Sequence, residues 1–299
     1  MSTESRMARM LDFPRTVLRL VRADLVKLSH YWVIIVGYVA LFIIAVVGAM
    51  LFHYLEQSLA IVKSNTGYDF AIKWVTECVQ YSAPFLYVMI CILFAMEVSN
   101  STIKNLLTRP VTRIELIVSK YITALIMIVA ALLIFWFVAL FLGWLYHGLG
   151  PLVDDTENEC FSMAHMFRQM GIGTLFLLIP LFTMAAMALM VSSYSSTMGG
   201  AIIIGFIIFM FFEILAVVPL QNEISFTFQG DTHSLPVKAF FFTALRSKPL
   251  MLLDDLATCM RIYTWWTWEI ISMTAICGIY FLVFFMASLV GVKKRDFTI

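Results

Sequence analysis

Few side chains in this 299-residue chain have the type and spacing to do chemistry. Glu213 is the one acidic residue well inside an apolar run. An ionisable group in such a place is a functional-site candidate facing a cavity or the bundle interior. It is assigned here to a substrate path, against the alternative of a carboxyl hydrogen-bonded to a neighbouring helix. The stretch CFSMAHMFRQM gathers Cys160, Met163, His165, Met166 and Met170, soft donors suited to Cu(I). On a helix Met163, Met166 and Met170 would share one side, as they would in an amphipathic lead-in to a membrane span. The lead-in is the preferred reading, so no metal is assigned. The third feature is EVSNSTIKNLLTRPVTRIELIVSK, residues 97–120, a polar, turn-rich insert between two runs apolar enough to cross a bilayer.

Enzyme chemistry has little to stand on. The chain contains no HExxH, no paired intramembrane aspartates and no Gly-x-Ser nucleophile motif, and its five histidines are scattered. It has no G-x-x-x-x-G-K-[ST] and indeed no Gly-Lys pair, so it cannot cradle ATP phosphates in a P-loop of its own. A non-catalytic subunit is expected. The five cysteines form no CxxC pair and show no zinc spacing. Cys91 and Cys277 fall in apolar runs, whereas Cys78, Cys160 and Cys259 fall in connections, where a disulfide between two of the three stays open.

The elements that must position these residues are membrane helices. Hydrophobic residues make up 62% of the chain and charged residues 13%, with a mean hydropathy of +0.92, far from a soluble domain's composition. The net charge of +1 gives no sign of a nucleic-acid partner. A span needs about 20 apolar residues, and six segments qualify: 31–52, 82–98, 117–146, 171–193, 198–218 and 269–291. The chain reads as an all-α, polytopic membrane protein made of a single transmembrane domain. Its first run is too long for a cleaved signal and follows a basic segment.

Lysine and arginine set the orientation. Thirteen of them lie in the N-terminal segment, the 97–120 insert and the C-terminal tail, against seven in the alternate connections. Both termini and the insert are therefore expected in the cytoplasm, and the chain in the cell (plasma) membrane. The opposite connections carry Asp154, Asp155, Glu157, Glu159, Asp254 and Asp255. Tyr263, Trp265, Trp266 and Trp268 form an interfacial aromatic belt before the last span. The 219–268 connection is too long to be featureless, and its apolar KAFFFTAL and PLMLL predict short re-entrant or interfacial helices. In the fifth span Ala201 and Gly205 make a small-xxx-small contact for packing within the chain, and Pro180 predicts a kink in the fourth.

Two cytoplasmic features stand out. Residues 14–30 predict an amphipathic interfacial helix starting at Pro14, with Val17, Val21, Leu25 and Leu28 on one side and Arg15, Arg19 and Arg22 on another. The loop 99–112 has more structure than a connector needs. Ser99, Asn100 and Ser101 are N-cap candidates for a short helix carrying Ile103, Leu106 and Leu107. Arg109 before Pro110 stops it. Thr112 and Glu115 then form a T-x-x-E capping box that starts a new helix at about residue 113.

This pattern resembles the type 2 ATP-binding-cassette (ABC) transporter permeases. The resemblance rests on Glu97 ending the second span, a short Ser/Thr-containing helix ending in Leu106 and Leu107, the Arg109, Pro110, Val111, Thr112, Arg113 turn, and Lys120 opening the third span. The basic amphipathic N-terminus, the SSYSS turn at 192–196 and the closing KKRDF at 293–297 extend it over most of the topology. A glycine common in that pattern is replaced here by Ser101. The resemblance implies that two such chains pair, as a homo- or heterodimer. Each would receive a cytoplasmic ATPase that carries the ATP and Mg2+ and grips the N-terminal helix and the first cytoplasmic loop. It assigns ATPase coupling to Glu97, Ser101, Thr102, Ile103, Lys104, Leu106, Leu107, Arg109, Pro110, Arg113 and Lys120. The expected function is ATP-driven export of a drug, peptide, lipid or ion, against a non-transporting membrane anchor or sensor, or a copper-related maturation permease.

Overall fold

The computed structural model describes residues 3–59, 64, 66–99, 112–150, 152–153, 159–217, 223–228, 231–236, 241–257 and 267–294. Six of its helices are long and apolar enough to span a membrane. In chain order the helices are α1 (Thr3–His30), α2 (Trp32–Leu59), α3 (Gly67–Ser99), α4 (Arg113–His147), α5 (Met163–Tyr194), α6 (Met198–Val217), α7 (Phe242–Leu245), α8 (Ser247–Ala257) and α9 (Trp268–Lys294). The spans are α2 to α6 and α9. The all-helical membrane domain expected from composition is therefore present. Two short antiparallel hairpins are added in the connections: β1 (Leu152–Val153) with β2 (Glu159–Phe161), and β3 (Glu223–Phe228) with β4 (Asp231–Pro236).

α3 is the most enclosed span, packed on α2, α4, α5 and α6, while α9 lies along α5. Its core positions, Phe70, Leu86, Tyr87 and Ile90 among them, are fully buried. Glycines let the neighbours approach closely. A Cβ on Gly48 would lie 2.3 Å from the Trp74 ring, and one on Gly205 would lie 2.8 Å from Cys91 Sγ. Gly205 thus packs α6 on α3 within the chain, as its spacing from the buried Ala201 predicts. The opposite sides of α2 and α6 expose Val36, Ile43, Val47, Ile203, Ile207 and Phe211, the outer surface a bilayer-embedded bundle presents.

Four boundaries differ from the sequence reading. α1 begins at Thr3, with Pro14 inside it rather than at its start. A proline removes one backbone donor at a cost of about 3 kcal/mol, and here it does not stop the helix. The second span begins at Gly67, not 82, because Phe70, Ala71, Trp74, Val75 and Val79 form a buried face interleaved with charged residues. Lys73 is neutralised one turn away by Asp69 at 2.9 Å. Cys78 therefore lies inside a helix, buried and free, and is no disulfide partner. The third change is at α3's other end, which runs through Ser99, so that residue continues the span rather than capping a new helix.

The fourth change is that α5 begins at Met163, eight residues before the expected span, with Pro180 inside it. The expected short helices of the 219–268 connection are α7 and α8, with Leu245, Leu250, Leu252 and Leu253 buried. The β3–β4 hairpin was missed there, although Ile224, Phe226 and Phe228 alternate at strand period.

Candidate functional site

The site is built where α1, α3 and α4 meet. On α1 the predicted apolar stripe is real: Val17, Val21 and Leu28 are buried and Arg15, Arg19 and Arg22 exposed. Asp24, three residues beyond Val21 and four before Leu28, sits on that same buried stripe. A helix places residues three and four apart on one side, so the carboxylate is carried into the packing interface. α4 starts where the capping box places it. The Thr112 amide donates to Glu115 Oε2 at 2.7 Å and the Glu115 amide to Thr112 Oγ1 at 3.3 Å. That fixes the register of α4 and points Lys120, two turns in, toward α1 and α3.

Lys120 is the hub. Its Nζ lies 2.8 Å from Asp24 Oδ1 and 2.9 Å from Glu97 Oε1, and Glu97 Oε1 also takes Lys27 Nζ at 3.0 Å. Asp24, Glu97 and Lys120 are all buried, while Lys27 reaches in from the rim. Among the described residues two carboxylates face two ammoniums. That balance is what makes burial tolerable, since a buried charge must be paired. Burial lifts the Asp24 carboxyl above its usual range, opposed by the Lys120 charge and reinforced by Glu97. Physically the arrangement is a tie among three helices.

Arg113, at the root of the same loop, donates to the carbonyls of Val292 and Lys293 at 3.1 and 2.7 Å. A cation on the last carbonyls of a helix complements its dipole, and the contact ties the start of α4 to the end of α9. Tyr121 and Ser288 reinforce it, their hydroxyls 3.1 Å apart. Glu97, Arg113 and Lys120, three of the residues assigned to coupling, are thus brought to one end of the bundle. Ser101, Thr102, Ile103, Lys104, Leu106, Leu107, Arg109 and Pro110 lie outside the described residues. Asp24 and Lys27 were missed as site residues. The available signal was a lone acid on an otherwise apolar helix stripe.

The other candidates fall elsewhere. Glu213 on α6 is one-quarter exposed and pairs with Arg246 Nη1, between α7 and α8, at 3.1 Å. Met166 and Met170 are buried in apolar packing with Leu252, Leu253, Ile270 and Met273, whereas Met163 is exposed. His165 stacks on Phe161 and contacts Arg168 and Gln169. The side chain of Cys160 and the whole of Cys259 lie outside the described residues.

Comparison with known proteins bears on the same region. A family model described as ABC-2 family transporter protein matches residues 20–212, which takes in α1 from residue 20 onward, α2 to α5 and most of α6. The bacitracin transport permease protein BCRB of Bacillus licheniformis is 34% identical over 129 residues, 42% of this chain and 58% of the relative. The uncharacterized protein YhcI of Bacillus subtilis (strain 168) is 28% identical over 117 residues, 38% of this chain and 37% of the relative. The match thus spans about half the length of these curated relatives.

Proposed function

The chain belongs to the ABC-2 family of transporter proteins, and from that premise we propose that it is the membrane permease subunit of an ATP-driven exporter. It works as a pair of permease chains, each receiving a separate cytoplasmic ATPase that binds ATP and Mg2+. The end carrying α1, the 99–112 loop and the end of α9 faces the cytoplasm, following the lysine and arginine asymmetry.

The observation that carries this reading is the buried ion group at the root of the loop. A force applied to residues 99–112 loads α3 at Glu97 and α4 at Lys120 and Arg113. Those residues grip α1 through Asp24 and Lys27 and α9 through its last carbonyls. Packed, charge-paired helices move as bodies rather than deforming. Closure of an ATPase against the loop is therefore passed to α1, α3, α4 and α9 together.

Glu213, partly exposed and held by Arg246, is proposed to border the substrate path. Because the Bacillus licheniformis relative is named for bacitracin transport, bacitracin is the first compound to try. The test pairs docking with flux. Leu106→Asp and Arg109→Glu are expected to abolish co-purification of the ATPase while leaving membrane insertion intact. Unchanged co-purification in both overturns the coupling assignment. ATP-dependent solute movement in vesicles is expected for the intact complex. A complex that binds its ATPase yet moves no solute is instead the anchor or sensor. Glu213→Gln is expected to lower flux and substrate-stimulated ATP hydrolysis, and unchanged values remove it from the path.

A further inference from the structure

At the end of the bundle opposite the ion group, three potential metal ligands converge from two helices. His53 and Glu56 lie one turn apart on α2, and His147 is the last residue of α4. Glu56 Oε2 is 3.4 Å from His147 Nε2 and 3.8 Å from His53 Nδ1, and the three atoms lie within 4.8 Å of one another. A tetrahedral zinc centre with ligands at about 2.0–2.1 Å sets its donors roughly 3.3 Å apart, so only a small inward movement is needed. Among the described residues no other trio of His, Cys, Asp or Glu meets in this way.

The surroundings are those of a built site. All three atoms are buried, and they face one another at 3.4–3.8 Å, longer than a well-formed hydrogen bond. The His53 and Glu56 side chains are each held by further contacts. The His53 ring lies flat on Tyr146, with centroids 3.9 Å apart and planes at 1°. Its Nε2 is 3.0 Å from the Gln57 amide. With that amide turned so its oxygen accepts Nε2–H, the lone pair of Nδ1 faces the centre, the second-sphere arrangement metal-bound imidazoles use. The other oxygen of Glu56 accepts the Ser64 amide. Lys73 on α3 is tied to Asp69 at 2.9 Å.

We propose that His53, Glu56 and His147 bind one divalent transition-metal ion, Zn2+ before others. It would clamp the end of α2 to the end of α4, with a fourth position open to water. Two imidazoles and a carboxylate suit Zn2+ and, less well, Co2+ or Ni2+. The inference stands on this geometry alone and does not depend on the transport reading.

The experiment uses the full chain purified in detergent and desalted. About one Zn2+ per chain should be retained, and Co2+ loaded in its place should give the intense visible absorption of a low-coordinate centre. His147→Ala and Glu56→Gln should weaken Zn2+ binding at least about 100-fold, and Gln57→Ala about tenfold, as removal of a second-sphere partner does. Zn2+ should raise the melting temperature of wild type but not of Glu56→Gln. That variant keeps the side chain's shape, and its metal-free melting curve reports whether it has folded. Overturning results are no retained Zn2+ with no rise in melting temperature, or retention that is the same in wild type and both ligand variants.

Discussion

The two ends of the α3–α4 pair solve the same problem in opposite ways. At one end, polar side chains from α1, α3 and α4 complete one another: Asp24 and Glu97 are matched by Lys27 and Lys120. At the other, two imidazoles, His53 and His147, converge on the single carboxylate of Glu56 at 3.8 and 3.4 Å, beside a seam made of bare backbone. There the Gly67 amide donates to Gly148 O at 2.9 Å, and Gly67 and Gly143 are in backbone contact. From Lys120 to His147 is about 40 Å along α4 at 1.5 Å per residue. Both ends thus reach the margins of a hydrocarbon layer of about 30 Å. At the first end the protein supplies both signs of charge itself. At the second, the proposal is that a metal ion supplies one.

Removing the hub should break the first end most severely. Lys120→Met removes the ammonium that two buried carboxylates, Asp24 and Glu97, share. Removing one partner from a buried ion group costs about 3–5 kcal/mol. Thermal unfolding of the purified chain should show a fall of that size, together with loss of ATPase co-purification. A melting curve like that of wild type would mean that the ion group does not hold these helices.

A second substitution should break the other end and leave the first alone. A Cβ on Gly143 would sit 2.4 Å from the carbonyl oxygen of Gly67, and the obstacle is backbone, which cannot rotate aside. Gly143→Ala should therefore part α3 from α4 at this end, at a cost of about 1–3 kcal/mol, as overpacking does. Since His147 lies one turn further along α4, Zn2+ retention should fall while ATPase association is kept. Equal loss of both would show that the two ends are not mechanically separate.

Much of the first end was legible in the sequence because its signals are local. The T-x-x-E box gave the start of α4 to the residue, and the spacing of Val17, Val21 and Leu28 gave the buried side of α1. Glu97, Arg113 and Lys120 were found by resemblance to a permease pattern, not by chemistry. Asp24 escaped because a single acid in a basic helix reads as solvated until the partner across the interface is known. At the second end nothing local exists to read. His147 lies more than 90 residues from His53, and only the packing of α2 on α4 brings them together. Likewise, the first half of α3 mixes Asp69, Lys73 and Glu77 with its buried face, and an average over hydropathy hides a helix whose apolar side is continuous.

The smallest expected effect sharpens the account of the ion group itself. Lys120, Glu97 and Lys27 all face Asp24, yet burial outweighs the attraction of the lysines and lifts the Asp24 carboxyl above its unfolded range. A carboxyl whose folded-state pKa is raised binds its proton more tightly folded than unfolded. Its ionisation therefore opposes folding as pH rises through that range, and the folded state regains the difference as pH falls. Asp24→Asn removes this liability together with the contact to Lys120, and the two offset. The variant should stay within about 1 kcal/mol of wild type near neutral pH. Its stability relative to wild type should improve as pH is raised through and above the carboxylate range, and worsen as it is lowered. Melting curves across that range decide the matter. A loss as large as that of Lys120→Met, or a trend of opposite sign, would make Asp24 an essential anion and the ion group a symmetric pairing rather than one centred on the Lys120–Glu97 contact.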